Sequence, residues 1–263
     1  MKNIVVCMKQ VLDPEIPLSL FSIDAEARQA IQPKATPPVL SPFDENALEA
    51  ALKIKDAREA EVTVISLGKK LNRVVVSSAL AAGADQLVML QDEAFGEFNT
   101  FLTASAIASA IEKIGPYDLV LCGLQAADTN TGQVGIGIAG ILGIPCITAA
   151  RKVEINGDTV RVEKATDDGY EVIESLAPVV VTATYEVGAL REPGVEAFMS
   201  AARKPITKWD AQELGIETDS IDRFTMTKMY RPARESSCEI LEGAGPGEKA
   251  EKLVAKLTEA KVI

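Results

Sequence analysis

Along the first half of the chain, short and nearly unbroken apolar runs alternate with longer stretches whose apolar residues recur every three or four positions. Asn3–Lys9, Glu61–Gly68, Gln86–Gln91 and Asp118–Gly123 are the short runs. Their continuous hydrophobicity predicts β-strands covered on both faces, as in a parallel sheet. Helices are predicted between them. Ser41-Pro42-Phe43-Asp44 reads as a helix start, with Ser41 as N-cap, Pro42 at the first helical position and Asp44 at the third. Leu48, Ala51 and Leu52 then share one face. Leu71–Ala82, Phe101–Ile114 and Thr131–Leu142 complete the series. Strands and helices in alternation predict an α/β domain with right-handed crossovers.

Two regions break the rhythm. Residues 10–40 carry Pro14, Pro17, Pro33, Pro37 and Pro38 without a sustained period. A long irregular segment inside a compact domain is commonly functional, and this one is read as an extended excursion, with a hairpin, that contacts another molecule. From Thr148 the pattern becomes strand-rich. Ala149–Ile155, the turn Asn156-Gly157-Asp158 and Thr159–Lys164 predict a β-hairpin. Tyr170–Glu174 and Val179–Thr184 are further strands. Leu190–Pro205 reads as a loop followed by a small-residue helix. Residues 206–246 are polar and weakly patterned, and Glu248–Ala260 predicts an amphipathic helix with Leu253, Leu257 and Ala260 as its stripe. The expected division is residues 1–205 as the α/β unit with its hairpin extension and 206–263 as an arm that packs on a partner subunit.

Composition narrows the chemistry. The net charge of −11 argues against nucleic acid and anionic membrane surfaces. No apolar run has the length of a membrane span, so the chain is not expected to be membrane-spanning. Cys7, Cys122, Cys146 and Cys238 show no Cys-x-x-Cys spacing. Three sit in apolar runs, which fits free thiols in a reducing, cytoplasmic setting. With no histidine in the chain, Ser-His and Cys-His catalysis and imidazole metal sites are excluded. Chemistry here is carboxylate-based or carried by a cofactor.

The segment from Asp118 to Gly135 joins an apolar strand to a glycine-spaced helix through a polar loop of small residues. Two readings stand. In one, backbone amides and the side chains of Asp128, Thr131 and Gln133 hold an adenosine phosphate at the helix start. In the other, this is an ordinary turn capped by Asp128, and the glycines serve helix packing. It is neither a Walker loop nor a Gly-x-Gly-x-x-Gly fingerprint. Open α/β sheets bind ligands outside the carboxyl ends of their strands, and Cys7–Lys9, Ser41–Asp44, Leu67-Gly68 and Gly123–Gln133 all fall there. The acidic turn Asp167-Asp168-Gly169 has two readings, paired carboxylates for a metal or acid–base work and a solvated turn, and without histidines or further clustered acids the solvated turn is favoured. The stretch Leu190 to Met199 carries exposed-looking apolar residues, read either as a partner site or as a loop anchored by a buried Phe198.

The run from Val162 through Lys164, Asp167-Asp168-Gly169, Glu171 and Ile173 to Pro178 and Val180-Val181-Thr182 resembles the signature of electron transfer flavoprotein β subunits. Ile4–Gln10, Ser41–Glu49, Ala79–Asp85, Gly123 with Gln125-Ala126 and Asp128, and Lys252–Leu257 are similar to the same family, so the resemblance spans essentially the whole chain. It implies a parallel-sheet, Rossmann-like adenine-nucleotide-binding domain with a β-hairpin extension and a C-terminal arm. It also implies a heterodimer with a larger α subunit that holds most of the FAD. The β subunit then holds AMP, or a second FAD in electron-bifurcating members. Electrons pass from an acyl-CoA or other dehydrogenase to a quinone-linked oxidoreductase, so the protein is an electron carrier rather than a catalyst with its own substrate. The cofactor-binding residues implied are Cys7, Ser41, Pro42, Phe43, Asp44, Leu67, Gly123, Leu124, Gln125, Ala126, Asp128, Thr131, Gly132, Gln133 and Val134, with Phe43 approaching the α-subunit flavin. Arg191, Glu192, Pro193, Phe198 and Met199 match a partner-recognition loop.

This chain departs from the family at three points. Leu124 replaces a basic residue, Ser41 replaces Asn, and the recognition loop is short, with Phe198 as a substitute anchor. Bifurcating members often carry a Val-x-Asp-Arg-Asp run, and Val162–Thr166 lacks both of its acids, which leans toward AMP. A universal-stress-protein regulatory module is the alternative of another class, and it is much shorter and lacks the second half. An ATP-pyrophosphatase would need an early Ser-Gly-Gly loop that Lys9–Pro14 does not supply.

Overall fold

A computed structural model describes residues 2–97, 99–216, 226–232 and 238–263. Its strands are β1 (Asn3–Cys7), β2 (Gln10–Val11), β3 (Ser22–Asp24), β4 (Gln29–Ile31), β5 (Val39–Leu40), β6 (Glu61–Gly68), β7 (Gln86–Gln91), β8 (Leu119–Gly123), β9 (Cys146–Asn156), β10 (Thr159–Thr166), β11 (Gly169–Leu176), β12 (Val179–Ala183) and β13 (Ile206–Trp209). Its helices are α1 (Pro42–Ala57), α2 (Arg73–Ala82), α3 (Thr100–Ile114), α4 (Val134–Leu142), α5 (Val195–Ala201) and α6 (Pro246–Glu259).

Nine strands form one sheet in the order β11-β10-β9-β12-β8-β1-β6-β7-β13. From β9 to β13 every pairing is parallel, and β10 and β11 add an antiparallel extension. The α/β class read from the sequence is therefore the observed one. The period of two explains why continuous apolar runs were needed. In β1, Ile4 and Val6 face a core shared with α1 and α2, while Val5 and Cys7 face a second core with α3 and α4. β8 divides likewise, Leu119 and Leu121 on one side and Val120 and Cys122 on the other. Carboxylates pin strand ends together: Asp118 accepts the Lys2 and Asn3 amides at 2.7 and 3.0 Å, and Asp85 accepts the Val62 amide at 2.8 Å.

The irregular region 10–40 is an excursion closed at its base by β2 on β5 and tipped by the β3–β4 hairpin. The segment 226–232 runs beside it, with the Arg28 guanidinium donating to the Met226 carbonyl at 2.7 Å.

Several boundaries differ from expectation, two of them for long-range reasons. β9 begins at Cys146 rather than Ala149, because Cys146 and Ile147 pair with β12 before the chain turns at Ala149, whose φ is +59°. The Thr182 hydroxyl takes the Ala149 amide at 3.1 Å there. The sheet also continues past residue 205, where the sequence reading begins an arm. Ile206–Trp209 extends the sheet beside β7, and Ala211 and Leu214 are buried in the second core. Trp209 packs on that core with the Lys113 ammonium 4.7 Å from its ring centre. A four-residue strand in polar sequence has too little period of its own to be seen. Of the arm's other expected part, α6 forms and buries none of its residues, leaving Leu253 and Val254 about half exposed.

Leu121 is fully buried at the centre of the sheet. Leu121→Ala is expected to lower unfolding free energy by about 3 kcal/mol in chemical denaturation, by lost burial and a residual cavity.

Candidate functional site

β1 and β8 lie side by side, yet the chain leaves them in opposite directions, from β1 through α1 to β6 and from β8 through α4 toward β9 and β12. A reversal of this kind opens a crevice beyond the strands' carboxyl ends. The residues at that place are Met8-Lys9, the first turn of α1 and residues 124–133, joined by the hydrogen bonds of Asp44 and Lys9.

The crevice is organised by Asp44, in the first turn of α1 and only 7% exposed. One carboxylate oxygen accepts the Lys9 amide at 2.8 Å and the other the Gly123 amide at 3.0 Å. A single side chain thus joins the end of β1, the end of β8 and the start of α1. Burial pushes the Asp44 carboxyl up to about 7, against the lowering pull of the Lys9 and Gly123 amides, the Lys9 charge and the Ser41 hydroxyl. Ser41 is the N-cap residue by position, but its side chain makes no cap. Its carbonyl accepts the Asp44 and Glu45 amides, while its hydroxyl bonds Asp44 and accepts the Ala127 amide at 3.3 Å. The capping reading is corrected on that point: the tertiary partners outcompete the local one.

Gly123 is required by the same closeness. A Cβ there would sit 2.5 Å from the Asp44 carboxylate and 2.7 Å from the Phe43 carbonyl carbon. The loop after it is held at several points. Leu124 donates its amide to the Ala183 carbonyl at 2.8 Å, and Ala126 accepts the Asn130 amide at 2.8 Å. The Gln125 amide group donates to the Asn130 side chain at 3.1 Å. The Lys9 ammonium reaches both oxygens of Asp128, at 2.9 and 2.7 Å. Gly132 adopts φ +62°, so α4 starts at Val134 rather than at Thr131. Gln133 does not cap α4. Its side-chain oxygen accepts the Thr100 hydroxyl at 2.8 Å instead, and no acid lies in the first turn. The N-terminus of α4 therefore presents its dipole without a competing carboxylate, which suits an anion.

Of the residues expected to bind cofactor, Ser41, Asp44, Gly123 and Asp128 meet in this network, and Pro42, Phe43, Leu124, Gln125, Ala126, Thr131, Gly132, Gln133 and Val134 lie along its two walls. Cys7 pairs with Cys122 across β1 and β8. Contact with Cys7 and then burial hold the Cys122 thiol well above its usual value, so it stays protonated. All four cysteines are free, Cys7 and Cys122 buried and Cys238 exposed. Leu67 lies one strand away, near the end of β6. From sequence Lys9 is read only as the end of the Cys7–Lys9 segment and Thr100 not at all, because their side-chain partners lie 119 and 33 residues away. The acidic turn Asp167-Asp168-Gly169 is the exposed bend between β10 and β11, and no metal-ligating cluster occurs among the described residues.

The chain entering the expected partner-recognition loop is clamped by α1. Asn46, Glu49, Lys53 and Asp56, at spacings of a single helix face, all bind residues 187–191. Asn46 donates to the Gly188 carbonyl at 2.6 Å and Lys53 to the Val187 carbonyl at 2.6 Å. Arg191 bridges Glu49 and Asp56 at 2.9 and 2.8 Å. The Arg191 guanidinium is thereby spent within the chain, whereas Glu192, Phe198 and Met199 are exposed and Pro193 is half-buried. Beside them lies a groove of about 540 Å³ between α1, α2 and α5.

A mostly parallel α/β sheet with helices on both faces and a switch point between β1 and β8 is a Rossmann-like architecture. Residues 31–214 match the family model described as the electron transfer flavoprotein domain. The chain is 40% identical to the electron transfer flavoprotein subunit beta of Clostridium acetobutylicum, over 96% of this chain and 93% of that protein. It is 36% identical to the caffeyl-CoA reductase-Etf complex subunit CarD of Acetobacterium woodii, over 99% of this chain and all of that one. Protein FixA of Bradyrhizobium diazoefficiens is 33% identical over 81% of this chain and 75% of its own length. The chain belongs to the electron transfer flavoprotein family, as a β subunit. Its role is electron transfer within a flavoprotein, and its family partner is an α subunit. No helix among the described residues is long and apolar enough to cross a membrane.

Asp44→Asn is expected to cost about 2 kcal/mol of stability, because an amide cannot accept both backbone N–H groups. It is also expected to change the pH profile. A buried carboxyl raised to about 7 from 3.8 binds its proton more tightly when folded. Wild-type stability therefore declines as pH rises from about 4 to 7 on this account. Denaturation at pH 5 and pH 8 should show that decline reduced in the variant. Arg191→Met leaves the 7%-exposed Glu49 unpaired and is expected to cost about 2 kcal/mol. Limited proteolysis should then cut faster within residues 187–194.

Proposed function

We propose that the switch-point crevice holds an adenosine phosphate, AMP, and that the chain thereby forms the nucleotide-bearing half of a heterodimer whose α subunit holds most of the FAD. The observation carrying this reading is the Asp44–Gly123 closure. It brings the uncapped start of α4, the left-handed turn at Gly132 and the Lys9 ammonium to one crevice. These residues fit a phosphate: free helix-start amides, a backbone open to close approach and a nearby cation. Gln125, Asp128, Thr131 and Gln133 supply polar side chains around it, while Cys7 and Leu67 form its floor. Ser41, Pro42 and Phe43 form the opposite wall, with Phe43 directed to the α-subunit flavin.

Bound FAD supplies the one- and two-electron chemistry. The chain's own part is to orient that flavin, exclude water and present a docking surface. Glu192, Pro193, Phe198 and Met199 are the surface proposed for a dehydrogenase donor, and a quinone-linked oxidoreductase is the proposed acceptor. A second reading places a second FAD in the crevice. Leu124 supports it, since the basic residue usual in AMP-holding members is missing, as does the 36% identity to a subunit named for a reductase complex.

Nucleotide release by denaturation of the co-purified heterodimer separates these readings. One FAD and one AMP per heterodimer are expected. Two FAD without AMP would support the second reading, and nucleotide without flavin or stable partner would overturn the heterodimer reading. A bulky residue at Gly132, whose φ of +62° disfavours any side chain, is expected to abolish nucleotide retention while the α-subunit FAD remains.

A further inference from the structure

Lys9 occupies a singular place in the crevice. Residues 41–44 and 123–134 contain no lysine, arginine or histidine, so among the described residues of those segments and the end of β1 the cation is Lys9, while Lys69, one strand away after β6, is paired with Glu93. The surroundings are otherwise negative: Asp44 and Asp128 both face it, within a chain of net charge −11. A phosphate entering here meets the α4 amides and two carboxylates, and it needs a countercharge.

The backbone and side chain of Lys9 have separate tasks. Its amide is fixed on Asp44 at 2.8 Å, which sets the direction of the residue at the mouth of β1. Its side chain is 43% exposed and reaches the 124–133 loop through Asp128, itself 30% exposed. Ion pairs this open to water are weakly held, so the ammonium is free to exchange one anion for another at little cost. A phosphate carries more charge than a carboxylate and offers more acceptor oxygens.

We propose that Lys9 is the phosphate-recognising residue of the crevice, held in place by Asp128 until a nucleotide phosphate takes its ammonium. The inference rests on the reading of the crevice as a nucleotide site and goes further by naming the group that selects a phosphorylated ligand over a bare nucleoside. No covalent step is involved, and the ammonium keeps its proton throughout.

The test compares AMP with adenosine on the heterodimer stripped of its nucleotide, by calorimetry, for wild type and Lys9→Met. Loss of one charge-assisted contact is expected to weaken AMP binding by about 10- to 100-fold, with adenosine affinity unchanged. Leu124→Arg in the Lys9→Met background, which returns a cation to the opposite end of the same loop, is expected to restore part of the AMP affinity. A purely structural Lys9–Asp128 tether would predict equal losses for AMP and adenosine, and that result would overturn the proposal. Equal AMP affinity in wild type and Lys9→Met would overturn it as well, leaving the nucleotide reading intact. Wild type that binds neither AMP nor adenosine and carries no nucleotide would overturn that reading and this proposal together.

Discussion

Two backbone amides and a serine hydroxyl converge on the Asp44 carboxylate, and the geometry of the candidate site depends on that convergence. Strand ends at a switch point diverge, and each leaves an N–H group with no ladder partner. Asp44 satisfies one from β1 and one from β8 while sitting in the first turn of α1, where the helix dipole favours a carboxylate. The arrangement demands glycine at 123, because any side chain there collides with Asp44 or the Phe43 backbone. Burying a carboxylate is unfavourable unless its hydrogen bonds are made. Its elevated pKa is the residual cost of placing it there.

α1 carries this constraint to a second place. Its N-terminal turn shapes the crevice, and its face at Asn46, Glu49, Lys53 and Asp56 holds residues 187–191. One rigid element therefore sets the position of both the proposed nucleotide site and the proposed docking loop. Arg191 is the junction, since its planar fork satisfies two carboxylates at once where a lysine would meet one. The exposed Phe198 and Met199 then project from α5, which packs on α2 rather than hanging free.

The absence of histidine is consistent with this architecture. An electron carrier moves electrons through a bound flavin and needs no tuned general base of its own. The thiols nearest the crevice supply packing rather than acid–base or redox chemistry. Cys7 and Cys122 lie in the second core, and Cys122 is kept protonated by its neighbour and by burial. What the chain contributes is position: a crevice, a wall with Phe43 and a clamped loop.

Local periodicity determined most of the fold. β6 and β7 were legible to their ends, because a strand covered on both faces is apolar at most of its interior positions, here broken only by the small buried Thr63 and Ser66. The helices were legible from their stripes, and the α/β class followed from the alternation. The hairpin and the loop after Gly123 were marked by turn residues whose conformations few others adopt. What the tertiary structure alone decided was long-range. β13 is a strand only because β7 offers it an edge. Ser41 and Asp44 suggested a cap from sequence, and their real partners, Lys9, Gly123 and Ala127, come from other elements. Arg191 is read from sequence as part of a partner-recognition loop, and only the fold places Glu49 and Asp56 of α1 beneath it. Hydrophobic period is written in neighbouring residues, whereas a polar side chain's role is set by whichever unpaired donor or charge the fold brings within about 3 Å of it.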